Sequence, residues 1–246
     1  MLSEMGYNVI KDEVGLYYNS KEYIKDAASF ARNDYAKRIK LIDRFIDLKS
    51  VGNIVELGCG AGVLQNIHKK YIGVDISERA INGLKNSICC DIGRRIELDT
   101  RSIDAIVSFN TLEHIPTPER TFQECARILK PGGLLLFQDA FNVRRGTRPY
   151  HIFKVISLRI LSFCAYLLLN KRKFVYFKMQ PDYTKIGEDH DACSQIDPYS
   201  IYLWFKKRGF TCLNNKNSIT GLLWRDKFII LKKNEKTKSF HHYTSS

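Results

Sequence analysis

Several common signals are missing from this 246-residue sequence, and each absence removes a class of protein. Its seven cysteines form no Cys-x-x-Cys pair and no zinc-ligand spacing, so neither a disulfide framework nor a zinc module is expected. Because they are scattered through apolar runs, they indicate reduced, buried thiols in a cytoplasmic protein. The first residues lack the basic and apolar regions of a secretory signal. No Gly-Lys-Ser/Thr sequence follows the glycine-rich stretch, which excludes a phosphate-binding P-loop.

Acidic residues are absent between Phe141 and Gln180, a segment that holds nine lysines and arginines. The formal net charge of the chain is +13, so about a sixth of its length supplies nine of those excess charges. Such a segment favours an anionic partner, which would be a phosphorylated substrate, an anionic membrane surface or nucleic acid. A basic face that only water solvates is the alternative.

The most informative stretch present is Asn53-Ile-Val-Glu-Leu-Gly-Cys-Gly-Ala-Gly62. Its aliphatic residues predict a buried strand, and its three alternating glycines predict a tight turn before a helix over 61–68. Glycine tolerates a positive φ and lets a ligand approach the backbone closely. The dinucleotide-binding spacing Gly-x-Gly-x-x-Gly is absent, because Val63 occupies its last position. Taken alone, the turn leaves any nucleotide as a possible ligand.

Strand and helix signals alternate along the chain and predict an α/β fold with a doubly wound sheet. A helical pattern over 27–48 precedes the first strand, and another helix is expected at 118–129. Parallel strands are expected at 53–57, 71–75, 87–91, 103–109 and 134–137. An antiparallel pair at 210–213 and 228–231 would bring the mixed sheet to about seven strands, with helices on both faces and a helical insertion after strand five.

Polar residues end several of these predicted strands. In doubly wound sheets, ligands bind beyond the carboxyl ends of the strands, where the strand order reverses. The residues expected there are Glu56, Gly58, Asp75, Asp91 and Asn110. A carboxylate accepts two hydrogen bonds, so Asp75 suits the two hydroxyls of a ribose, while Asp91 suits an exocyclic amine with Ile92 against a purine ring. Each acid alone could equally be a strand-end or capping residue.

Four stretches, Ile54–Gly62, Gly73–Ser77, Ile103–Ile115 and Arg127–Gly133, together resemble the successive motifs of class I S-adenosylmethionine-dependent methyltransferases. They occur in the order and at the spacing of the small-molecule branch of that family, which includes the ubiquinone-biosynthesis type. The resemblance covers about residues 50–140. It implies a Rossmann-like sheet, S-adenosylmethionine as cofactor, and SN2 transfer of a methyl group to a small-molecule or lipid- or saccharide-linked acceptor, at oxygen.

The resemblance also implies a set of cofactor-binding residues. They are Glu56, Gly58, Cys59, Gly60, Asp75, Ile76, Asp91, Ile92 and Asn110. The glycine-rich turn and Glu56 would contact the methionine portion, and Asp75 would hold the ribose hydroxyls with Ile76 beside the adenine. Asp91 and Ile92 would bind the edge and the face of the adenine. Asn110 would lie near the sulfonium and its methyl group.

The sequence departs from the metal-assisted members of that family. Those members carry an acid three residues before a Glu-His pair, where this chain has Asn110 before Glu113 and His114. No metal is therefore expected, and the pair is expected to cap the following helix and shape the pocket. Strand four lacks both an Asn/Asp-Pro-Pro-Tyr/Phe motif and a Pro-Cys nucleophile, which weighs against methylation of DNA and of RNA bases.

An apolar stretch, Ile152–Leu169, lies within the basic segment. A helical wheel separates apolar residues from a polar side that holds His151, Lys154, Arg159, Ser162 and Tyr166. A central arginine costs about 2.5–3.5 kcal/mol in a membrane-spanning helix, so an interfacial helix is favoured over a spanning one. Segment 151–178 is therefore either a peripheral membrane contact or a lid or dimer contact, and the oligomeric state is left open.

Two histidines are candidates for a general base. His190 lies in the polar loop 183–196, and His151 is the weaker candidate. An imidazole of near-neutral pKa can take the proton of an acceptor hydroxyl. Methyl transfer from a sulfonium needs mainly alignment, so a mechanism without any base, in which His190 only supports the following helix, is equally open.

The chain is expected to have four parts. Residues 1–50 would form an N-terminal helical cap, and 51–140 with 195–233 the methyltransferase core. Residues 141–194 would form an acceptor-side insertion or lid, and 234–246 a disordered tail. Two other functions stay open, namely a degenerate methyltransferase fold that acts as a binding protein, and an RNA methyltransferase, which the positive charge alone favours.

Overall fold

The computed structural model describes residues 14–62, 64–138, 149–168, 174–185, 190–214 and 228–235. Among these residues, seven strands form one mixed sheet and two more form a small antiparallel pair. The sheet strands are β1 (Ile54–Leu57), β2 (Tyr71–Asp75), β3 (Ser87–Cys89), β4 (Ile103–Phe109), β5 (Leu129–Gln138), β8 (Phe210–Cys212) and β9 (Ile229–Lys233), and the small pair is β6 (Phe177–Lys178) and β7 (Ser194–Gln195). The helices are α1 (Lys21–Asp43), α2 (Glu78–Ile81), α3 (Pro118–Ile128), α4 (Pro149–Leu168) and α5 (Pro198–Lys206).

The sheet has the order β3-β2-β1-β4-β5-β9-β8, with β9 antiparallel to both of its neighbours and the other pairs parallel. The order reverses between β1 and β4, which pair directly from Ile54 opposite Ala105 to Leu57 opposite Ser108. This arrangement confirms the predicted α/β fold and the closing antiparallel pair. It also places the candidate site beyond the carboxyl ends of β1 and β4.

The central strands are buried on both faces, as continuous apolar runs in parallel sheets require. One face packs against α1 and the turn that follows it, where Ile42 and Ile46 share a buried cluster with Ile54 and Val107. The other face packs against α3 and α5, whose Phe122 and Phe205 are fully buried in the larger cluster. The central part of the sheet is therefore covered on both faces by described helices.

The helix α1 begins earlier than the periodicity indicates. Its N-cap is Ser20, whose hydroxyl accepts a hydrogen bond from the Tyr23 N–H, and Glu22 lies in the first turn. Ser20 and Glu22 are a recognisable helix start in the sequence. The prediction placed the start later because the apolar periodicity of the first turns is weak. The helix α3 agrees closely with the predicted range 118–129, since it starts at Pro118 and ends at Ile128. The helix α5 follows its N-cap Asp197, whose carboxylate accepts from the N–H groups of Tyr199 and Ser200.

The helix expected over 61–68 is wrong for the residues that the structure describes there. They form consecutive turns in which Gly62 N–H donates to Cys59 O and Gln65 N–H donates to Gly62 O, each over 2.9 Å. Gly62 has φ +62°, which a right-handed helix cannot include. A bond to the third residue back, rather than the fourth, keeps the chain in tight turns.

Two polar residues of α4, Arg159 and Ser162, contact the protein. Arg159 Nε lies 3.0 Å from Asp197 Oδ1, and Ser162 Oγ lies 2.6 Å from Ser200 Oγ. Its apolar side faces outward, with Phe153 71% exposed and Leu168 81% exposed. Within the described part of the chain, no helix combines the length and hydropathy that crossing a membrane requires.

Candidate active site

The turn after β1 has one closed side and one open side. Gly58, Gly60 and Gly62 have φ values of +66°, +51° and +62°. A Cβ atom on Gly58 would lie 2.2 Å from Thr111 Oγ1, so no side chain fits there without displacement. A Cβ atom on Gly60 would have nothing within 4 Å, which leaves open space over the middle of the turn. Ligand atoms can approach the backbone at that point.

Asp75 joins this turn to the end of β2. Its Oδ2 accepts from the Gly60 N–H over 2.8 Å, and its Oδ1 accepts from the Ser77 N–H over 2.9 Å. Burial raises the pKa of Asp75, while the backbone donors act in the opposite direction. Each carboxylate oxygen has a further lone pair, so the group can still accept from two ligand hydroxyls.

Glu56 lies beneath the turn, within the protein. Its side chain is 1% exposed, and the Tyr71 hydroxyl donates to its Oε2. Burial raises the pKa of Glu56 to about 8, although the Tyr71 hydrogen bond and the charge of Arg38 lower it. The Arg38 guanidinium lies 5.0 Å from the centre of the Phe109 ring. The sequence did not reveal this internal network, and the contact of Glu56 with the methionine portion stays a prediction.

Asp91 and Ile92 lie just past β3. Asp91 Oδ1 accepts from the Gly93 N–H over 2.8 Å, and the Arg94 Nε lies 3.6 Å from Oδ2. Ile92 is buried, and its carbonyl accepts from the Thr121 hydroxyl over 3.0 Å. The Asp91 carboxylate therefore stabilises the loop in which it lies. This is the strand-end or capping role that the sequence left open as an alternative to ligand binding. Its binding of adenine stays a prediction, as does the place of Ile76 beside the ring.

The backbone turns sharply after β4 at Asn110. This residue has φ +51°, and its N–H donates to the Gln138 carbonyl at the end of β5 over 2.8 Å. Asparagine is among the few residues that adopt this left-handed conformation readily. The next residue, Thr111, occupies the space beside Gly58, so this segment lies directly against the glycine-rich turn. Asn110 therefore lies at the same edge of the sheet as the glycine-rich turn. Its contact with the methyl group of the cofactor stays a prediction.

A polar cluster adjoins this segment. His114 Nδ1 lies 3.2 Å from Asp191 Oδ2, and its Nε2 lies 3.8 Å from Glu113 Oε1. The Tyr18 hydroxyl donates to the same Asp191 oxygen over 2.9 Å. Burial, and then the Asp191 charge, raise the pKa of Tyr18, so the hydroxyl keeps its proton and remains a donor.

Three distant segments build this cluster. Leu112–His114 forms a 3₁₀ turn after β4, and the Cys193 N–H donates to the Glu113 carbonyl over 2.8 Å. Tyr18 comes from the N-terminal segment, where its ring packs 4.8 Å from the Tyr23 ring and 5.0 Å from the Tyr17 ring. The N-cap position of α3 is Thr117, and His114 faces Asp191. The predicted capping role of the Glu-His pair stays a prediction.

The two histidines predicted as general bases, His190 and His151, lie in different parts of the structure. His190 precedes Asp191, and its carbonyl accepts from the Asp182 N–H over 2.7 Å. The imidazole that meets Asp191 nevertheless belongs to His114. His151 falls within α4, but its side chain lies outside the described residues. The role of either predicted base stays a prediction. Among the residues that the structure describes, no three acidic, histidine or cysteine groups are placed to hold a metal ion.

This arrangement fits S-adenosylmethionine. Its adenosyl group carries two ribose hydroxyls, for which Asp75 retains acceptor capacity at the strand end. Open space over Gly60 allows an extended ligand to pass close to the backbone. A doubly wound sheet with such a turn at its switch point and an acid at the next strand end defines a Rossmann-like S-adenosylmethionine-dependent methyltransferase.

Comparison with known proteins places the chain in this class. The family model described as a methyltransferase domain matches residues 28–215, and the chain belongs to that family. A ubiquinone biosynthesis O-methyltransferase of Coxiella burnetii is 28% identical over 199 residues, which cover 75% of this chain and 72% of that protein. The enzyme of that name from Colwellia psychrerythraea is 23% identical over 213 residues, 75% of this chain and 76% of that protein.

Solved structures agree on the fold. An S-adenosylmethionine-dependent methyltransferase from Aquifex aeolicus superposes with a TM-score of 0.51 at 16% identity, covering 87% of this chain and 97% of that chain. A putative methyltransferase from Methanococcus maripaludis gives the same TM-score at 13% identity, with coverages of 89% and 95%. Membership of the methyltransferase family, together with the O-methyltransferase relatives, makes the chain an enzyme that uses S-adenosylmethionine as its cofactor.

Proposed function

We propose that this enzyme transfers the methyl group of S-adenosylmethionine to a hydroxyl oxygen of a small-molecule acceptor. The observation that carries the proposal is the meeting of three features at one sheet edge, namely the open turn at Gly60, the Asp75 carboxylate and the segment from Asn110 to His114. The similar proteins named ubiquinone biosynthesis O-methyltransferases support oxygen as the methylated atom and a quinone precursor as one acceptor to test.

The residues of this chain have mainly binding and alignment roles in such a transfer. Asp75 would hold the ribose hydroxyls, and the turn would hold the amino-acid portion through its backbone. When bound, S-adenosylmethionine supplies a methyl group on a positively charged sulfur. The acceptor oxygen must then lie in line with the bond between that sulfur and the methyl carbon, and this alignment supplies much of the rate enhancement. The products are a methyl ether, S-adenosylhomocysteine and the proton that the hydroxyl loses.

A labelled-methyl assay tests this function. The full chain is incubated with methyl-labelled S-adenosylmethionine and a panel of hydroxylated aromatic acceptors, with and without isoprenoid tails, and of matched amines. Label on a hydroxyl oxygen, located by mass spectrometry, is the expected result. Transfer to the amines alone would contradict O-methylation, and S-adenosylhomocysteine binding without any transfer would indicate a binding protein.

We also propose that α4 rests on an anionic membrane surface. Its outward side presents Phe153, Ile160, Leu167 and Leu168, each more than half exposed. The surrounding segment 141–180 carries nine bases and no acid, which complements anionic headgroups. Arg159 is not one of the available charges, because its partner is the buried Asp197. A lipid-linked acceptor would meet the enzyme at this surface.

Vesicle flotation tests the membrane contact. The wild-type chain is expected to float with vesicles that contain phosphatidylglycerol and to remain below neutral phosphatidylcholine vesicles. Replacing both Leu167 and Leu168 with serine should abolish flotation, whereas Leu16→Ser, at an equally exposed leucine elsewhere, should not. Flotation that survives the double substitution would refute the contact. A concentration-dependent dimer that the same substitution dissociates would assign the surface to a second copy of the chain.

A further inference from the structure

We infer that two adjacent residues of the N-terminal segment 14–20, Tyr18 and Asn19, couple the cofactor site to the acceptor-side insertion. Asn19 contacts Ser77 at the start of α2, two residues after Asp75, and Tyr18 contacts Asp191 in the insertion. Both are therefore positioning residues for the methyl transfer. This inference rests on the proposed function, because it takes Asp75 as a cofactor-binding residue.

Asn19 is held by the first turn of α2. Its side-chain Oδ1 accepts from the Ser77 hydroxyl over 2.9 Å and from the Arg79 N–H over 3.1 Å. Its backbone carbonyl accepts from the Arg79 guanidinium over 3.1 Å, and its Nδ2 donates to the Gly15 carbonyl over 2.8 Å. An asparagine amide has one accepting oxygen and one donating nitrogen, and both have partners here. The side chain is therefore fixed in one orientation.

Ser77 connects Asn19 to the expected cofactor-binding acid. The Ser77 N–H donates to Asp75 Oδ1 over 2.9 Å, and the Gly60 N–H donates to Oδ2 over 2.8 Å. Ser77 is 1% exposed, so little water competes for its contacts. A chain of hydrogen bonds thus runs from Gly60 through Asp75 and Ser77 to Asn19. Ribose hydroxyls bound to Asp75 would restrain every member of that chain.

Tyr18 contacts the acceptor-side insertion. Its hydroxyl donates to Asp191 Oδ2 over 2.9 Å, and both side chains are buried. A hydrogen bond to a carboxylate is stronger than one between two neutral groups. The neighbouring Tyr17 adds a second contact, since its ring lies 5.5 Å from the ring of Tyr183, which also belongs to the insertion. The N-terminal segment therefore anchors the insertion.

The backbone around the two residues is itself fixed. The Asn19 N–H donates to the Gly15 carbonyl and the Ser20 N–H donates to the Tyr17 carbonyl, each over 3.1 Å. Because Tyr18 and Asn19 are adjacent on this fixed segment, a restraint on Asn19 is passed to Tyr18. Coupling between two binding sites usually changes an affinity by about 5–150-fold and acts equally in both directions. Cofactor binding should therefore order the insertion, and the docked insertion should tighten cofactor binding.

Hydrogen exchange measured by mass spectrometry tests the coupling. The full chain is compared with and without saturating S-adenosylhomocysteine, which carries the same two ribose hydroxyls as the cofactor. In the wild type, this ligand is expected to slow exchange several-fold in peptides that cover 15–23, 75–80 and 190–196. In Tyr18→Phe, which loses only a hydroxyl, the slowing should persist over 75–80 and disappear over 190–196. Slowing over 190–196 that survives in Tyr18→Phe would overturn the inference.

The same measurement separates coupling from a merely structural role. The insertion has another link to the core that Tyr18→Phe leaves intact, because the Cys193 N–H donates to the Glu113 carbonyl over 2.8 Å. If the substitution only loosened the fold, exchange over 190–196 would be faster by the same factor with and without ligand. That result would assign Tyr18 to stability and contradict the coupling. Tyr35→Phe, at an exposed tyrosine of α1, is the matched control and should behave like the wild type.

Calorimetry with S-adenosylhomocysteine tests whether the two residues act in series. Asn19→Ala is expected to raise the Kd by about 10-fold or more, and Tyr18→Phe by about 5-fold. The double variant should bind no more weakly than Asn19→Ala, because a chain broken at one residue loses nothing more at the next. Penalties that multiply would indicate independent contacts and refute the inference. The control is Asn33→Ala, at an exposed asparagine of α1.

Failure of the proposed function gives a different result. If the wild type binds no S-adenosylhomocysteine, the cofactor site at Asp75 fails and the coupling fails with it. If the wild type binds this ligand and exchange slows over 75–80 but not over 190–196, the cofactor site stands and the inference alone fails.

Discussion

The backbone N–H of Gly60 donates to Asp75 Oδ2 over 2.8 Å, which connects the turn after one strand to the acid that ends the next. The same carboxylate accepts from the Ser77 N–H, where the first turn of α2 begins. Asp75 therefore gives the turn its shape. Its remaining lone pairs would accept from the ribose hydroxyls in the proposed cofactor site.

Replacing this acid should remove cofactor binding. Asp75→Ala loses an acceptor for two hydroxyls and leaves the turn without its anchor. Hydrogen bonds to a charged group contribute about 1.5–3 kcal/mol each, so the Kd of S-adenosylhomocysteine is expected to rise by at least 10²-fold. Isothermal titration measures this, with Asp99→Ala at an exposed acid as the matched control. An unchanged Kd in Asp75→Ala would show that the cofactor site lies elsewhere.

Two alanine substitutions in the glycine-rich turn should differ in cost. Both positions have a positive φ, which costs a non-glycine residue about 1–2 kcal/mol. Gly60→Ala should cost only that, because a Cβ there meets open space. Gly58→Ala should cost about 1–3 kcal/mol more through its clash with Thr111. Urea unfolding measures the difference, and Thr111→Ala should recover part of the Gly58→Ala loss. Equal costs at the two positions would mean that the clash relaxes freely.

The buried Glu56 should make the stability of the protein depend on pH. Burial raises its pKa from 4.5 to about 8, so between these values the folded state binds more protons than the unfolded state. The free energy of unfolding should therefore fall as the pH rises from about 5 to 8, by at most about 1.4 kcal/mol per pH unit from this group. Glu56→Gln should flatten that dependence, whereas Glu97→Gln at an exposed site should not. Parallel curves for Glu56→Gln and wild type would contradict the assignment.

Arg127 should matter for stability and not for cofactor binding. Its guanidinium donates to the carbonyls of Ile96 and Leu98 and to the Glu124 carboxylate, which fixes the loop before β4 onto α3. Arg127→Met leaves these two carbonyls and the Glu124 carboxylate without their donors and should lower the free energy of unfolding by about 2–4 kcal/mol. The exposed Arg120→Met serves as the control. A fall in S-adenosylhomocysteine affinity without loss of stability would instead place Arg127 in the site.

Local patterns were sufficient to predict the glycine-rich turn and the strand end that carry the expected cofactor-binding residues. The glycines at 58, 60 and 62 need positive φ values, and Asp75 ends a strand, so both features follow from the sequence immediately around them. The polar cluster was different, because Tyr18, His114 and Asp191 come from three segments whose spacing carries no common period. The prediction of a helix over 61–68 was wrong because it relied on the apolar periodicity and gave too little importance to Gly62. The left-handed conformation of Gly62 is incompatible with a helix at that point. Likewise, a helical wheel could not predict that Arg159 pairs with Asp197. A wheel shows which residues share one side of a helix, but it does not show which other element packs against that side.

The position of β9 in the sheet has a consequence for biosynthesis. This strand lies between β5 and β8 and pairs with both, although the whole insertion separates it from β5 along the chain. Until β9 has left the ribosome, β5 therefore exposes an unpaired edge that carries Leu134, Leu135 and Leu136. An apolar edge of this kind recruits other strands, so nascent or truncated chains should be the species that aggregate and engage chaperones. Since strand pairings so distant in sequence also form slowly, the vulnerable interval extends beyond translation itself.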